Sequence, residues 1–564
     1  MAETAALHTP QHPVRFVTAA ALFDGHDAAI NIMRRILQTQ GAEVIHLGHN
    51  RAVQEVVDAI VEEDVQGVAV SSYQGGHVEY FEYLAQALQQ AGAGHVKIFG
   101  GGGGVIVHEE IERLAKAGVK IFSPEDGQRL GLPGMINELI RTCDVDLADT
   151  QPDLDAILAG DRFALARAIT CLQEGKLDDV DLLTAAAAKR TVPVLGITGT
   201  GGSGKSSLTD ELVRRLRTDQ QDKLRVAVLA VDPTRRRGGG ALLGDRIRMN
   251  SLDSEHVFFR SLATRGSHEL PDNIEAIIAA VQAAGYDLVI LETPGIGQGD
   301  AAIVPYVDVA MYVMTPEFGA ASQLEKIDML DFADVVAINK FERRGARDAL
   351  RDVARQLVRN REAFHSSPDD MPVFGTSAAT FNDDGVTALY QHLAGLLAEK
   401  GLRLEDGALP KVSTKFSTRI AQVIPATRVR YLAEIADAVR GYHAETAAQV
   451  AAAQRVQRLS LVADELPDDG SVADLLSKAR RDLQHANADL LAEWPAVVES
   501  YSGDEQVVTV RDRELRTVLR RESLSGSRIP RVALPRFTDH GELLRFLRAE
   551  NLPGKFPFTA GVFA

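Results

Sequence analysis

A chain of 564 residues with a formal charge of −17 exceeds what one core organises, and at roughly 150 residues per domain it predicts three or four domains. The acidic balance argues against a nucleic-acid or anionic-membrane surface, though not against small anions held in local sites. Two cysteines, Cys143 and Cys171, make neither a disulfide framework nor a cysteine metal site; with no apolar leader in residues 1–12 and no run of about eighteen apolar residues, the expectation is a cytoplasmic protein without a membrane span.

From residue 13 onward, apolar β-rich runs at 14–20, 43–47, 67–72, 95–99 and 119–122 alternate with helical patterns at 28–40, 51–62, 77–91 and 105–117. This α/β alternation predicts a first domain, 1–145, built as a flavodoxin-like doubly wound parallel sheet with ligands at the strands' carboxyl ends. Three loops at that end are unusual: Asp24-Gly25-His26, then Ser71-Ser72-Tyr73-Gln74-Gly75-Gly76-His77, then five glycines from Gly100 to Gly104. An aspartate two residues before a histidine can hold one imidazole tautomer and leave the other nitrogen for a metal. Taken alone, the pair also reads as a helix cap beside a solvated histidine. A glycine run lets a flat, bulky ligand approach the backbone, and all three loops fall where a single ligand requires them.

These residues resemble the cobalamin-binding domain of base-off/His-on enzymes, whose pattern is Asp-x-His-x-x-Gly, then Ser-x-Leu, then Gly-Gly. The resemblance implies that His26 is the lower cobalt ligand, Asp24 its partner, Ser71 a contact to the buried nucleotide tail, and Gly100 and Gly101 the wall of the tail's channel. Ala29 stands where the pattern has glycine and Tyr73 where it has leucine, and both add bulk beside the expected tail.

Residues 146–190 show Ala-Leu helical periodicity and lead into Gly199-Thr200-Gly201-Gly202-Ser203-Gly204-Lys205-Ser206, set between an apolar run at 192–198 and an amphipathic run from Ser207. Strand, glycine loop and helix make a nucleoside-triphosphate site: the backbone from Gly199 to Ser207 curls around phosphate oxygens, Lys205 reaches the β/γ-phosphates as the catalytic cation, and the Ser206 hydroxyl binds magnesium. Further strands are expected at 225–231, 288–291, 309–314, 334–338 and 372–376. Asp232 and Glu292-Thr293-Pro294-Gly295 end two of them; such carboxylates can hold magnesium and such a glycine can sense a γ-phosphate, although singly each also reads as an ordinary turn carboxylate.

Asn339-Lys340-Phe341-Glu342 follows the strand ending at 338, and Ser377-Ala378 follows the one ending at 376. In G proteins the first motif is Asn-Lys-x-Asp, whose carboxylate accepts hydrogen bonds from guanine N1 and N2. Glu342 offers the same bidentate acceptor one methylene further out, which favours GTP over ATP. The run from Arg236 to Met249, with Asp232-Pro233 and Glu292-x-x-Gly295-x-Gly297-Gln298, resembles the G-protein chaperones of acyl-CoA mutases. That likeness places Asp232, Asp245, Glu292 and Thr293 with Ser206 around magnesium, Arg248 at the nucleotide phosphates, and a switch in the glycine stretch. Ala-Thr-Arg-Gly at 263–266 also matches, whereas Ser267-His268-Glu269-Leu270 departs from the chaperones' glycine-rich continuation.

The expected GTPase domain, 146–410, is followed by a mainly helical linker, 411–550, with helical periodicity at 414–457 and 471–499, a loop at 466–470, and Trp494 as a packing residue. Residues 551–564, with Pro553-Gly554-Lys555-Phe556-Pro557-Phe558-Thr559-Ala560-Gly561, resemble the entry into the TIM barrel of cobalamin-dependent acyl-CoA mutases, here truncated. The order of modules resembles the fused isobutyryl-CoA mutases. The resemblance implies adenosylcobalamin, magnesium, GTP as substrate, an acyl-CoA substrate in the full-length enzyme and a homodimer. It also implies radical isomerisation of isobutyryl-CoA to n-butyryl-CoA, with GTP hydrolysis by a built-in chaperone that gates cofactor loading and protects the mutase. Another fused acyl-CoA mutase, or a non-catalytic cobalamin carrier with a GTP switch, remains the alternative.

Overall fold

The computed structural model describes residues 8–235, 238–265, 269–295, 300–318, 324–325, 327–418, 431–510, 513–523, 526–530 and 532–549. The chain divides into two compact units, Met1–Val423 and Ile424–Ala564. The first contains two parallel sheets.

The first sheet is built from β1 (Arg15–Ala21), α1 (Ala28–Thr39), β2 (Glu43–Arg51), α2 (Val53–Glu63), β3 (Gly67–Ser71), α3 (His77–Gln90), β4 (Lys97–Gly101), α4 (His108–Lys116), β5 (Val119–Ile121) and α5 (Pro124–Cys143). All seven residues of β1 are buried, as a central strand covered on both faces requires. Two strands differ from expectation. β4 begins two residues late and takes in Gly100 and Gly101, and β2 runs four residues past Leu47 to Arg51.

Helices α6 (Leu154–Leu158), α7 (Arg162–Gln173) and α8 (Val180–Ala187) precede the second sheet. The chain then runs through β6 (Val194–Gly199), α9 (Lys205–Asp219), β7 (Val226–Asp232), a short β8 (Ala241–Leu243), β9 (Val257–Ala263), α10 (Ile274–Ala283), β10 (Leu288–Glu292), β11 (Val309–Met314), β12 (Val335–Asn339), α11 (Ala346–Asn360), β13 (Val373–Thr376) and α12 (Asp384–Glu399), and every strand of this stretch except β8 belongs to the second sheet. The order of the second sheet is β13-β12-β11-β6-β10-β7-β9, whereas the first sheet reads β5-β4-β3-β1-β2-β8. Strand β8 therefore lies in the second module's sequence but pairs in parallel with β2, Glu43 opposite Ala241 and Ile45 opposite Leu243. The central β6 carries the glycine loop at its carboxyl end, with the acidic ends of β7 and β10 on the same edge.

Buried charge fills the seam between the sheets. Arg15 and Arg260 are 1 % and 0 % exposed. Arg15 donates to Glu63 at 2.9 Å, Arg167 forms two 2.9 Å bonds to Asp64, and Arg246 donates to Glu62 at 2.6 Å. Buried ion pairs of this kind fix geometry more than they add stability.

In the second unit, α13 (Tyr431–Glu465), α14 (Gly470–Asp482), α15 (His485–Ser500) and α16 (His540–Ala549) accompany two antiparallel pairs, β14 (Glu505–Val510) with β15 (Arg513–Val518) and β16 (Arg520–Glu522) with β17 (Arg528–Pro530). The expected helical linker thus contains two hairpins, and residues 414–418 are not helical. Trp494 packs edge-on against Phe546, ring centroids 6.1 Å apart, inside a small apolar cluster. The barrel-like segment 551–564 lies outside the described residues. Among the described residues no helix is long and apolar enough to cross a membrane.

Candidate functional site

At the carboxyl end of the first sheet, Asp24 is fully buried and its carboxylate is shared among three donors. Oδ1 accepts from His26 N at 2.9 Å and from His26 Nδ1 at 2.8 Å, and Oδ2 accepts from Tyr73 N at 2.6 Å. Burial pushes the Asp24 carboxyl up, but the bonds from Tyr73 and His26 outweigh it and hold the pKa below its ordinary value. Since a carboxylate only accepts, Nδ1 carries the hydrogen and Nε2 is the nitrogen left for a metal. The Tyr73 ring packs on His26, centroids 5.7 Å apart.

Beside His26, an apolar slot runs between α1, β3, β4 and α5, lined among others by Ile30, Phe99, Gly100, Gly101 and Met135. The Ser71 hydroxyl lines it, is buried and has no protein partner. A Cβ on Gly100 would lie 2.5 Å from Phe81 and Ile121, and one on Gly102 would lie 2.2 Å from Ser72 O, so the glycines are required by close packing. An orphan hydroxyl in an apolar channel fits a long ligand with an occasional polar atom. The residues present therefore fit a cobalamin nucleotide tail.

In the second sheet, Gly202 and Gly204 take φ of 73° and 85°, left-handed values that turn the loop into α9. Lys205 lies buried along the loop, Nζ donating to Gly199 O at 3.0 Å. Gly201 lies against Gly295. The Ser206 hydroxyl stands 2.8 Å from Asp245 Oδ1 and 2.9 Å from Glu292 Oε1. One proton cannot serve two carboxylates, and the surplus of negative charge is what a divalent cation would neutralise. Burial, then the neighbouring Asp245, pushes the Glu292 pKa up to about 7. Burial followed by Asp245 also raises Asp232, whose Oδ2 accepts from Gly244 N at 3.1 Å.

Among the described residues no three histidine, cysteine or acidic groups form a ready-made metal cluster. Arg248 is exposed and 3.8 Å from Asp245, while the Thr293 hydroxyl donates to Thr198 Oγ1 at 2.8 Å. Ser203 and Ser207 follow the loop into α9. Gly297 and Gln298, with Arg236, Arg237 and 266–268, lie outside the described residues.

Asn339 Nδ2 donates to Ser203 O at 2.8 Å and Lys340 Nζ to Gly202 O at 2.6 Å, tying the strand-end motif to the phosphate loop. Asn339 Oδ1 accepts from Ala378 N at 3.1 Å, and Glu342 accepts from the Ser377 hydroxyl at 2.6 Å. Asn339, Lys340, Glu342, Ser377 and Ala378 thus converge at one rim.

The profile described as methylmalonyl Co-A mutase-associated GTPase MeaB matches residues 165–463. The chain belongs to the MeaB GTPase family. A B12 binding domain profile matches residues 14–127, so this MeaB-family chain carries a cobalamin-binding domain ahead of its GTPase domain. The chain is 81 % identical over 99 % of its length to the fused isobutyryl-CoA mutase of Nocardia farcinica, covering 52 % of that protein. It is 58 % identical over 98 % to the fused isobutyryl-CoA mutase of Cupriavidus metallidurans, again covering 52 %, and 49 % identical over 99 % to that of Geobacillus kaustophilus, covering 53 %. The chain spans about half the length of these curated relatives.

Some residues that shape the MeaB-type site were not evident from the motifs. Thr209, one turn after Ser206 on α9, donates to Glu292 Oε2 at 2.8 Å; its i+3 spacing from Ser206 was the available signal. Asp210 accepts from the N–H groups of Asn250 and Ser251, both at 2.8 Å, and anchors the end of the loop that carries Asp245.

Proposed function

We propose that this chain carries the cobalamin- and GTP-binding part of a fused isobutyryl-CoA mutase. In the whole protein the reaction is the adenosylcobalamin-dependent conversion of isobutyryl-CoA to n-butyryl-CoA. The observation that carries the reading is the pairing, in one compact unit, of a histidine braced through Nδ1 at one sheet's carboxyl end with a phosphate loop facing two carboxylates at the next. The long similarity to fused isobutyryl-CoA mutases supports the choice of reaction.

In this reading His26 would hold the cobalt through Nε2, with Asp24 fixing the imidazole, and Ser71 with Gly100 and Gly101 would receive the nucleotide tail. When bound, adenosylcobalamin supplies the radical that a carbon-skeleton rearrangement needs. Lys205 offsets charge on the β/γ oxygens of GTP, Ser206 with Asp232, Asp245 and Glu292 holds magnesium directly or through water, and Asn339, Lys340 and Glu342 receive guanine. GTP hydrolysis gates cofactor loading. The protein works in the cytoplasm as a homodimer.

The test is GTP hydrolysis by wild-type and Lys205→Ala chain, with ATP as competitor and with and without adenosylcobalamin, alongside the absorption spectrum of cobalamin bound to wild-type and His26→Ala chain. The expected result is selective GTP turnover lost in the first variant and an imidazole-ligated spectrum lost in the second. Turnover that ignores Lys205 or prefers ATP would overturn the GTPase assignment; a spectrum that ignores His26 would overturn the cobalt ligand.

A further inference from the structure

The magnesium-side loop and the cobalt-side loop meet on one strand. After β8 pairs with β2, the chain passes Gly244, which donates to Asp232, and Asp245, which accepts from Ser206. Arg246 then reaches back to Glu62 at the end of α2. Ile247 follows, and its Cδ1 lies so close to Gly48 of β2 that a Cβ there would be 3.0 Å away. Gly48 has a left-handed φ of 86°, and the pairing of β2 with β1 shifts register at this point, Ala19 facing Gly48 and Ala21 facing Arg51.

Two residues on, Asn50, also left-handed at φ 57°, clamps the loop that follows β1. Its Oδ1 accepts from Phe23 N at 2.8 Å, and its own N–H donates to Asp24 O at 3.3 Å. Asp24 in turn holds His26. Phe23 itself has φ of 65° and is 81 % exposed; the turn is closed by Asp24 N donating to Ala21 O at 3.0 Å, the Asp24 carboxylate is held by Tyr73 N, and Asn50 is the contact that ties the turn to β2. A strained, solvent-facing turn tied to β2 responds to small displacements of that strand.

We propose that residues 47–51 of β2 couple the nucleotide and cobalamin sites, with Asn50 as the positioning residue for the His26 loop. The position of Asp245, set by the bound magnesium nucleotide, moves β8 and Ile247 against Gly48 and so moves the peptide that carries Asp24. The inference rests on the reading of His26 as cobalt ligand and of 199–206 as the GTP site. Coupling of this kind is reciprocal: cobalamin shifts nucleotide affinity by the factor by which nucleotide shifts cobalamin affinity.

The experiment uses the full chain. Aquacobalamin binding is titrated by absorbance without nucleotide, with magnesium GDP and with a magnesium non-hydrolysable GTP analogue; the analogue is then titrated with and without cobalamin. In wild type we expect cobalamin affinity to change about fivefold or more between nucleotide states, with a matching reciprocal factor. Asn50→Gly keeps the left-handed backbone but removes the acceptor, and should cut the factor below about twofold while analogue affinity without cobalamin stays at the wild-type value. Asn50→Asp retains the acceptor and should retain the coupling.

Wild-type chain that binds both ligands with no mutual effect overturns the coupling and leaves the two-site reading standing. Chain that binds only one overturns both. An Asn50→Gly variant with wild-type coupling removes Asn50 from the route. Should that variant fail to fold, Ile247→Ala, which empties the contact with Gly48, carries the same expectation, and unchanged coupling there overturns the proposal.

Discussion

Gly295 lies against Lys205 so closely that a Cβ built on it would stand 2.5 Å from Nζ and 2.9 Å from the Cα of Gly201. The lysine tip could swing aside, but the Gly201 backbone belongs to the turn that would cradle phosphate and cannot. Gly295→Ala should therefore displace the loop or the residue, and a misplacement near 1 Å at a phosphoryl-transfer site costs about 100-fold in turnover. Steady-state GTP hydrolysis measures this, and wild-type turnover in the variant would show that the two segments separate when nucleotide binds.

Glu342 is held by the Ser377 hydroxyl at 2.6 Å. Because a glutamate reaches further than the aspartate of Asn-Lys-x-Asp, a fixed rotamer is needed if its carboxylate is to meet a guanine edge. Ser377→Ala removes that donor, and a hydrogen bond to a charged group contributes about 1.5–3 kcal/mol. The preference for GTP over ATP in competition binding should fall about tenfold or more. An unchanged preference would place base selection elsewhere on the rim.

Both sheets were legible because their strands are apolar runs closed by glycine loops or acidic residues: β6, β10 and β11 stand within two residues of their expected starts. Strand β9 was not, because its apolar run Val257–Ala263 is interrupted by Arg260. That arginine is buried by partners distant in sequence, the carbonyl of Glu62 and the hydroxyl of Thr170. Strand β8 is three residues long and gains its place only by pairing with β2, which no local pattern announces. The site residues with fixed spacing, from Gly199 to Ser206 and from Asn339 to Glu342, were readable. Asn50 was not, since its role exists only where β2 meets the loop after β1.

Asp24→Asn tests how far the His26 loop depends on a buried anion. The carboxylate accepts from Tyr73 N, His26 N and His26 Nδ1. An amide of the same shape must turn its NH₂ toward at least one of these donors, leaving a buried clash of donors worth about 1–3 kcal/mol. Urea denaturation should show a destabilisation of that order, larger than that of His26→Ala, which leaves the bond from Tyr73 intact. Equal effects would mean that Asp24 serves only the histidine.

The pH dependence of folding should carry a mark from His46. This β2 residue is 6 % exposed, and its Nδ1 is 2.9 Å from Thr18 Oγ1. Burial first, and then the Arg34 guanidinium nearby, pushes its pKa down from 6.5 to about 4. Between those values the unfolded chain binds a proton that the folded chain refuses, so stability rises with pH. The contribution is fully present above pH 6.5 and is lost as the pH falls through 6.5 toward about 4, a total of roughly 3 kcal/mol. His46→Gln keeps a hydrogen-bonding group without the titration. The melting temperature of wild type minus that of the variant should therefore drop by several degrees between neutral pH and pH 4, while a constant difference across that range would mean that His46 stays neutral in both states or charged in both.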